Sequence, residues 1–278
     1  MNSILYSKFK RSLHVGVSGS KTMAFNIVSL MWLRTVMNYQ YRYGTSFPNT
    51  IAILYREGGI RRFYSGMTYA LLEAPLIKFF DTFSNSIVLS LTSSSSIPIF
   101  LRTILSSCMA SSVKALLAPL DTVKTMYQVH GKEAPKMIKE KINQYGIKCL
   151  YHGFSASILA GIISHYPWFV THNYLEEILP KNKFKNRFIR NAFIGFTSSS
   201  VASVTSNFIR VIKTSRQTSL IDRSYVKVAE KIRMKSGLRG LLFRGLGVRL
   251  VSNGIQGLCF NVIWKYLQDR NEIKRKKN

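Results

Sequence analysis

A proline, an acid, a base and an amide lie at fixed offsets in the middle of the chain. In the stretch 119–128 they are Pro119, Asp121, Lys124 and Gln128. They sit in a long apolar segment, where charged side chains are tolerated when they are paired or hydrated. The sequence has no Gly-rich phosphate loop, no Ser-His-Asp candidate and no metal-ligand cluster. We therefore expect ion pairing and binding of charged solutes here, with no catalysis, cofactor or metal.

The base of this motif recurs with a long period. Arg34 lies 90 residues before Lys124 (124 − 34 = 90), and Lys213 lies 89 residues after it (213 − 124 = 89). Three glycines that each close a short motif, Gly66, Gly153 and Gly245, form a second marker. Their spacings are 87 and 92 residues (153 − 66 = 87 and 245 − 153 = 92), nearly the same period. Because two markers agree, the sequence predicts three copies of one unit.

Long apolar stretches must position these motifs. Each is about 25 residues or more, enough to cross a hydrocarbon core about 30 Å thick as a helix. The six stretches are 14–39, 66–91, 98–127, 153–179, 189–213 and 245–268. None is free of charge, so we interpret them as helices with one face on lipid and another on a polar interior. The sequence thus predicts an all-α membrane protein with one domain, 1–278, built from repeats 11–92, 97–180 and 187–272.

The charge of the chain is strongly positive, with 40 Lys and Arg against 12 Asp and Glu, yet 46% of the residues are hydrophobic. The excess bases gather in the connecting segments, where they can contact anionic lipid headgroups. A nucleic-acid partner is not expected, because the positive charge is the sole feature that would favour it. The sequence has no zinc-ligand cluster and no aromatic platform motif for single strands. The three cysteines are far apart and indicate neither a disulfide framework nor a zinc site.

These features resemble the mitochondrial carrier family, whose signature is Pro-x-Asp/Glu-x-x-Lys/Arg, then Gln, an acidic-Gly stretch and an aromatic-x-Gly, three times over. Unit two carries the signature intact in Pro119-Leu-Asp-Thr-Val-Lys124, and unit three closes with Gly-Leu-Arg-Gly-Leu-Leu-Phe-Arg-Gly245. The resemblance implies six transmembrane helices in a threefold pseudosymmetric, barrel-like bundle with three short amphipathic matrix-side helices. It also implies a monomer in the mitochondrial inner membrane that moves a small solute by alternating access. A plastid or other organelle membrane is the alternative location.

In the family, the acid of each odd-numbered helix pairs with the base of the next and closes the matrix side, with a glutamine as brace. The gate residues that the resemblance implies are Arg34, Asp121, Lys124, Gln128, Lys213 and Gln217. Only Asp121 with Lys213 can form such a pair, braced by Gln217 or Gln128, because Lys124 would face Met31. Proline inside a helix removes a hydrogen bond and kinks the axis, so Pro119 should bend the third helix inward.

The third contact of the ring would join two cations, Arg34 and Arg210. We therefore expect either a weak matrix-side closure or an anionic solute that neutralises Arg34, Lys124 and Arg210. Lys114 lies seven residues before Asp121, almost two helical turns, and so adds a cation to the same face. A lysine that extends to the membrane interface is the other interpretation of Lys114.

The family places its substrate contacts seven or eight residues past each closing glycine. With the cavity cations, the predicted substrate-binding residues are Glu73, Lys114, Gly161, Ile162, Arg210, Ser252 and Asn253. The Gly161-Ile162 pair resembles the contact of nucleotide-type carriers, although simple helix packing would also explain it. We expect a small anionic metabolite, nucleotide-like or a carboxylate. Because the gate is degraded, a carrier-fold membrane receptor or scaffold that does not transport is the alternative.

The closing glycines Gly66, Gly153 and Gly245 each begin an even-numbered helix. A helix N-terminus offers free amide groups and the positive end of a dipole to a phosphate. By resemblance these are cardiolipin sites, so membrane lipids including cardiolipin are expected partners. Helix capping alone would also account for the glycines.

Overall fold

The structure, a computed structural model, describes residues 2–92, 114–179 and 187–256, and its regular elements there are helices. The helices are α1 (Asn2–Tyr43), α2 (Phe47–Phe63), α3 (Met67–Leu91), α4 (Ala118–His130), α5 (Ala134–Tyr145), α6 (Phe154–Ile178), α7 (Arg187–Gln217) and α8 (Tyr225–Phe243). Residues 246–256 are helical as well and are called α9. The predicted all-α class is therefore confirmed.

The long helices α1, α3, α6 and α7 fall on the first, second, fourth and fifth apolar stretches. Parts of the third and sixth, 98–113 and 257–268, lie outside the described residues. In the described ranges one helical stretch, Ile147–Ile178, is by itself long and apolar enough to cross a membrane. The six-span threefold bundle therefore stays a prediction.

Apolar side chains on α6 and α7 point outward. Ile162 is 64% exposed and Tyr166 is 76% exposed on α6, and Phe193 and Phe196 are exposed on α7. Within the candidate span on Ile147–Ile178, only 22% of the most apolar window is buried. A large exposed apolar surface of this kind indicates contact with lipid or with another apolar partner.

The predicted short amphipathic segments are the helices α2, α5 and α8. The backbone of α2 departs from helical geometry at Gly58 and Gly59, and that of α8 departs at Gly237. The first break falls on the acidic-Gly stretch of unit one, and the second falls on the glycine-rich motif of unit three that ends at Gly245.

Bases from the linking segments cap the ends of α4 and α7. Arg62 donates to the carbonyl oxygens of Gln128 (2.9 Å) and Val129 (2.8 Å) near the end of α4. Lys141 of α5 donates to the carbonyl oxygen of Gln217 (2.9 Å) at the end of α7. The last carbonyls of a helix lack partners within the helix and carry negative dipole charge, so a buried base satisfies them. Burial lowers the pKa of Lys141 to about 8.

The C-terminal ends of α1, α4 and α7 converge. The Tyr43 hydroxyl of α1 lies 3.4 Å from Nδ1 of His130 at the end of α4, and Nε2 of His130 lies 2.8 Å from the Thr218 carbonyl oxygen just after α7. Arg42 of α1 contacts α7 directly, because it donates to the carbonyl oxygen of Ser215 at 3.0 Å. The residues predicted as a gate lie within about three turns of this convergence.

The proline of the signature distinguishes α4 from α1 and α7, the helices that carry the equivalent positions of units one and three. The helix is interrupted at Leu117, and Pro119 lies in the first turn of α4, where its missing N–H costs nothing. Helix α1 runs without interruption past Ser29, and α7 runs past Phe208. The break therefore occurs in the one unit that has the proline.

Candidate gate and binding cavity

Asp121 lies at the centre of a buried ionic cluster. Its Oδ2 atom is 2.7 Å from Nζ of Lys213 on α7, and its Oδ1 atom is 2.8 Å from Nζ of Lys124 on its own helix. Nε2 of Gln217 donates to the same Oδ2 at 3.1 Å and to Oγ1 of Thr122 at 3.0 Å. The ion pair between α4 and α7 that the resemblance implies is present, and Gln217 is the glutamine that contacts it.

Glu73 joins this cluster from α3. Its Oε2 atom lies 2.5 Å from Nζ of Lys124, and the Glu73 side chain is only 5% exposed. Sequence spacing placed Glu73 among the substrate contacts and left Lys124 facing Met31. The structure instead has Lys124 bound between two carboxylates, Asp121 and Glu73. We call Glu73, Asp121, Lys124 and Lys213 the ion-pair cluster.

The start of α3 explains this contact. A Cβ atom on Gly66 would lie 2.9 Å from the carbonyl oxygen of Lys124, so α3 begins directly against α4. Glu73 follows seven residues later, about 10 Å along the helix. Because side chains lean toward the N-terminus of their own helix, the Lys124 side chain points along α4 toward that depth. The glycine thus allows the acid and the base to meet.

Gln128 holds a different position from Gln217. Its Oε1 atom accepts from Nδ2 of Asn38 on α1 at 2.5 Å, and its Nε2 atom lies 3.5 Å from Sδ of Met31. Asn38 and Gln128 are 90 residues apart (128 − 38 = 90) and are therefore equivalent positions in units one and two. Gln128 links α1 to α4 and does not contact the acid.

Arg249 of α9 contacts Ser203 and Ser206 of α7, which precede Arg210 by seven and four residues on the same helix face. Arg210 and Arg249 are therefore called the arginine pair. The predicted contact between Arg34 and Arg210 stays a prediction. In the described part of the chain no carboxylate lies within 4.0 Å of either member of the arginine pair. Nε of Arg210 is buried and has no hydrogen-bond partner there.

Polar side chains of α1, α7 and α9 surround the arginine pair. Arg249 is 9% exposed and donates to the Ser203 carbonyl oxygen at 3.5 Å and to Oγ of Ser206 at 3.3 Å. Nδ2 of Asn253 donates to Oγ of Ser203 at 2.8 Å, and Ser252 is buried beside it. Of the predicted substrate contacts, Arg210, Ser252 and Asn253 are therefore brought to one region.

The other predicted substrate contacts lie apart from this region. Nζ of Lys114 is 3.0 Å from Oδ1 of Asp81, and both side chains are partly exposed. Lys114 is thus paired across to α3 at a distance from the ion-pair cluster. The Gly161 position faces open space, since a Cβ atom there would meet nothing within 4 Å, and Ile162 is largely exposed.

The closing glycines allow close packing between units. A Cβ atom on Gly153 would overlap the Gln217 side chain at 2.0 Å, and one on Gly245 would lie 2.8 Å from the Tyr41 ring. With Gly66 against Lys124, unit one contacts unit two, unit two contacts unit three, and unit three contacts unit one. This packing accounts for the three glycines in the structure; the cardiolipin sites stay a prediction.

Two comparisons with known proteins bear on this arrangement. Residues 98–183 match the family model described as "Mitochondrial carrier protein". A second match, 24% identical over 144 residues, is to "Nicotinamide adenine dinucleotide transporter 1, chloroplastic" of Arabidopsis thaliana. It covers 45% of this chain and 46% of that protein, so the chain spans about half the length of the relative that it matches. The resemblance of the sequence to the mitochondrial carrier family is therefore confirmed over residues 98–183.

Sequence reasoning missed one pairing and one residue of the site. The pairing of Glu73 with Lys124 joins two helices whose contact no spacing rule specifies. Arg249 carried a usable signal: it precedes Ser252 and Asn253 by three and four residues, so the three share one helix face. A basic residue on the same face as predicted substrate contacts was the clue.

Proposed function

We propose that the protein carries a small anionic metabolite across an organellar membrane by alternating access within a six-helix bundle of threefold pseudosymmetry. The charge balance at the convergence of α1, α4 and α7 is the observation that carries this proposal. Five bases, Arg34, Lys124, Arg210, Lys213 and Arg249, meet two acids, Glu73 and Asp121. Buried charge of one sign in a low-dielectric cavity attracts ions of the other sign.

In this proposal the ion-pair cluster is the closed matrix gate. Asp121 with Lys213 joins α4 to α7, and Glu73 takes the place of the acid that is absent at Met31. A solute would enter from the opposite side, and the cluster would separate when the three units rock apart. Because an unpaired buried charge is costly, the separated charges would have to meet water or the solute as the cluster opens.

A nucleotide-like anion is the solute class that we favour over a carboxylate. The name of the Arabidopsis relative specifies a dinucleotide, and this name supports the choice. We propose the mitochondrial inner membrane as the location. The name "chloroplastic" in the relative keeps the plastid envelope as the alternative.

Transport by the full chain in cardiolipin-containing vesicles tests the proposal. We would measure uptake of radiolabelled NAD, ATP and malate into vesicles preloaded with the same solute, and compare Arg210→Asp with Arg239→Asp. Arg239 is an exposed base of α8, so its variant controls for the same change in net charge. We expect uptake of at least one anion, slowed about tenfold or more by Arg210→Asp, because a charge-assisted contact is lost.

Two outcomes would contradict the proposal in different ways. An unchanged rate in Arg210→Asp would show that the solute does not use this cation. Uptake of no anion, together with no rise in melting temperature on adding the same solutes, would favour a receptor or scaffold without transport.

A further inference from the structure

We propose that Arg190 and Glu176 form a hinge between units two and three, which stays closed while the gate at the other end of α6 and α7 opens and closes. Glu176 lies in the last turn of α6, and Arg190 lies in the first turn of α7. This inference rests on the proposed function, since it names the point about which two of the three units rotate. We call the contact of these two side chains the α6–α7 clamp.

Arg190 binds the end of α6 with most of its guanidinium group. Its Nη1 and Nη2 atoms lie 3.1 and 2.8 Å from the two carboxylate oxygens of Glu176, which makes a bidentate ion pair. Nη2 also donates to the carbonyl oxygen of Glu176 at 3.1 Å, and Nε donates to that of Leu179. Carbonyls at a helix end lack partners within the helix, so Arg190 caps α6 as well. The Arg190 side chain is 1% exposed, and water therefore screens this contact only from the Glu176 side.

The clamp and the gate lie at opposite ends of the same two helices. Arg190 precedes Lys213 by 23 residues on α7 (213 − 190 = 23), which is about 35 Å along the helix axis. At the gate end, α6 begins at Gly153, directly against the Gln217 side chain. The two helices are therefore antiparallel neighbours that touch at both ends. A small rotation about the clamp moves the gate end most.

Small side chains of α6 face α7 between the two ends. Ala156 and Ala160 pack with Ile209 of α7 in one buried cluster. Hydrophobic contact is non-directional, so this surface permits a small tilt of α6 on α7. The clamp is different, because its several directional hydrogen bonds hold the two helix ends together. The contacts between α6 and α7 thus combine a fixed end with a surface that can tilt.

The clamp differs from the ion pair that joins units one and two on the far side of the ion-pair cluster. Lys114 and Asp81 lie 3.0 Å apart, and their side chains are 45% and 35% exposed. An exposed pair of this kind contributes little, because water and salt screen it. In the ranges that the structure describes, the firmer ionic contact away from the gate is therefore the one between units two and three. The fixed point of the movement lies there.

Cross-linking of the full chain in cardiolipin-containing vesicles tests the hinge. The three native cysteines would first be replaced by alanine. One pair of new cysteines lies at the clamp, Glu176→Cys with Arg190→Cys. The matched control pair lies at the gate end, Ser155→Cys with Tyr225→Cys. The hydroxyl oxygens of Ser155 and Tyr225 are 2.9 Å apart and also join unit two to unit three. A bifunctional thiol reagent closes each pair, and uptake of NAD, ATP and malate is measured before and after.

The two cross-links are expected to act in opposite directions. Before the reagent, the clamp pair should transport slowly, because the ion pair is lost. When cross-linked, it should recover to within about twofold of the cysteine-free parent, because a hinge keeps the same contact in both access states. The cross-link between positions 155 and 225 should abolish uptake, because these positions separate when the gate opens. A contact that only stabilised the fold would not produce this opposition.

Uptake that is abolished by the clamp cross-link would overturn the hinge, since the two helix ends would then have to separate. Unchanged uptake with the gate end cross-linked would overturn it as well. Should the clamp pair fail to fold, Ile178→Cys with Ile189→Cys decides, because both side chains are exposed beside the clamp and leave the ion pair intact. Cross-linking of that pair should leave uptake unchanged, and a block would overturn the hinge. Absence of uptake in the native chain would contradict transport and hinge together, whereas a block confined to the clamp removes the hinge alone.

Discussion

The ion-pair cluster and the arginine pair lie about one helical turn apart but satisfy their charges in opposite ways. In the cluster, Asp121 contacts Lys124, Lys213 and Gln217, and Glu73 supplies a second carboxylate to Lys124. In the arginine pair, Arg249 makes long contacts with two serine oxygens, and Nε of Arg210 has no hydrogen-bond partner among the described residues. By our proposal the cluster is the closed gate, and the arginine pair is left to attract the solute.

This difference gives the two halves separate expected roles. Removing a charge from the cluster leaves a buried partner uncompensated and should destabilise the protein. Removing a charge from the arginine pair relieves repulsion and should cost little stability, but it should weaken anion binding. Stability and anion affinity are therefore the two measurements that distinguish the halves.

The largest effect is expected from Asp121→Asn. The substitution leaves Lys213 buried without its carboxylate partner, and loss of one member of a buried pair costs about 3–5 kcal/mol. The melting temperature in detergent should fall far more than in Asp81→Asn, whose pair with Lys114 is partly exposed and worth about 0–1 kcal/mol. Similar melting temperatures for the two variants would show that the cluster is not a closed buried unit.

A smaller loss is expected from Glu73→Gln, because Lys124 keeps Asp121 as a partner. We expect about 1.5–3 kcal/mol, the contribution of a hydrogen bond to a charged group. Adding Met31→Asp to this variant moves the acid to the position where the family motif has it, and should recover part of the melting temperature. A double variant no more stable than Glu73→Gln would indicate that only α3 can present an acid to Lys124.

The most gradual effect, spread over a range of pH, concerns a base outside both halves. Burial lowers the pKa of Lys141 to about 8, so between about pH 8 and about pH 10.4 the unfolded chain binds more protons at this site than the folded chain. Stability should therefore rise with pH across that window, with a limiting slope of about 1.4 kcal/mol per pH unit, and Lys141 should add no slope below it.

Comparison of Lys141→Met with Lys139→Met isolates this contribution. Lys139 is an exposed base on the same helix. The pH dependence of the melting temperature should flatten in Lys141→Met and stay unchanged in Lys139→Met. The residual pH dependence then belongs to the rest of the chain, including the ion-pair cluster. Equal slopes in both variants would contradict the assignment to Lys141.

The sequence predicted those features that depend on local periodicity. The helical class and the short linking helices followed from apolar stretches and recurring motifs, and the three-unit repeat stays a prediction. The Asp121–Lys213 contact followed from the family resemblance, since both residues occupy signature positions. The role of Gly66, Gly153 and Gly245 in close packing was not predicted, because spacing shows where a glycine recurs but not what its missing side chain makes room for.

The sequence alone determined which charges are buried, because Asp121, Lys124, Arg210 and Lys213 lie inside apolar stretches long enough to be helices. Only the tertiary structure decided how those charges are shared. Lys124 could not be assigned to Glu73 from spacing, since the two residues meet only because α3 starts against α4 at Gly66. In the same way, Arg249 lies against the helix that carries Arg210 because α9 contacts α7 at Ser203 and Ser206. Charge identity is local, whereas charge pairing depends on helices that are distant in the chain.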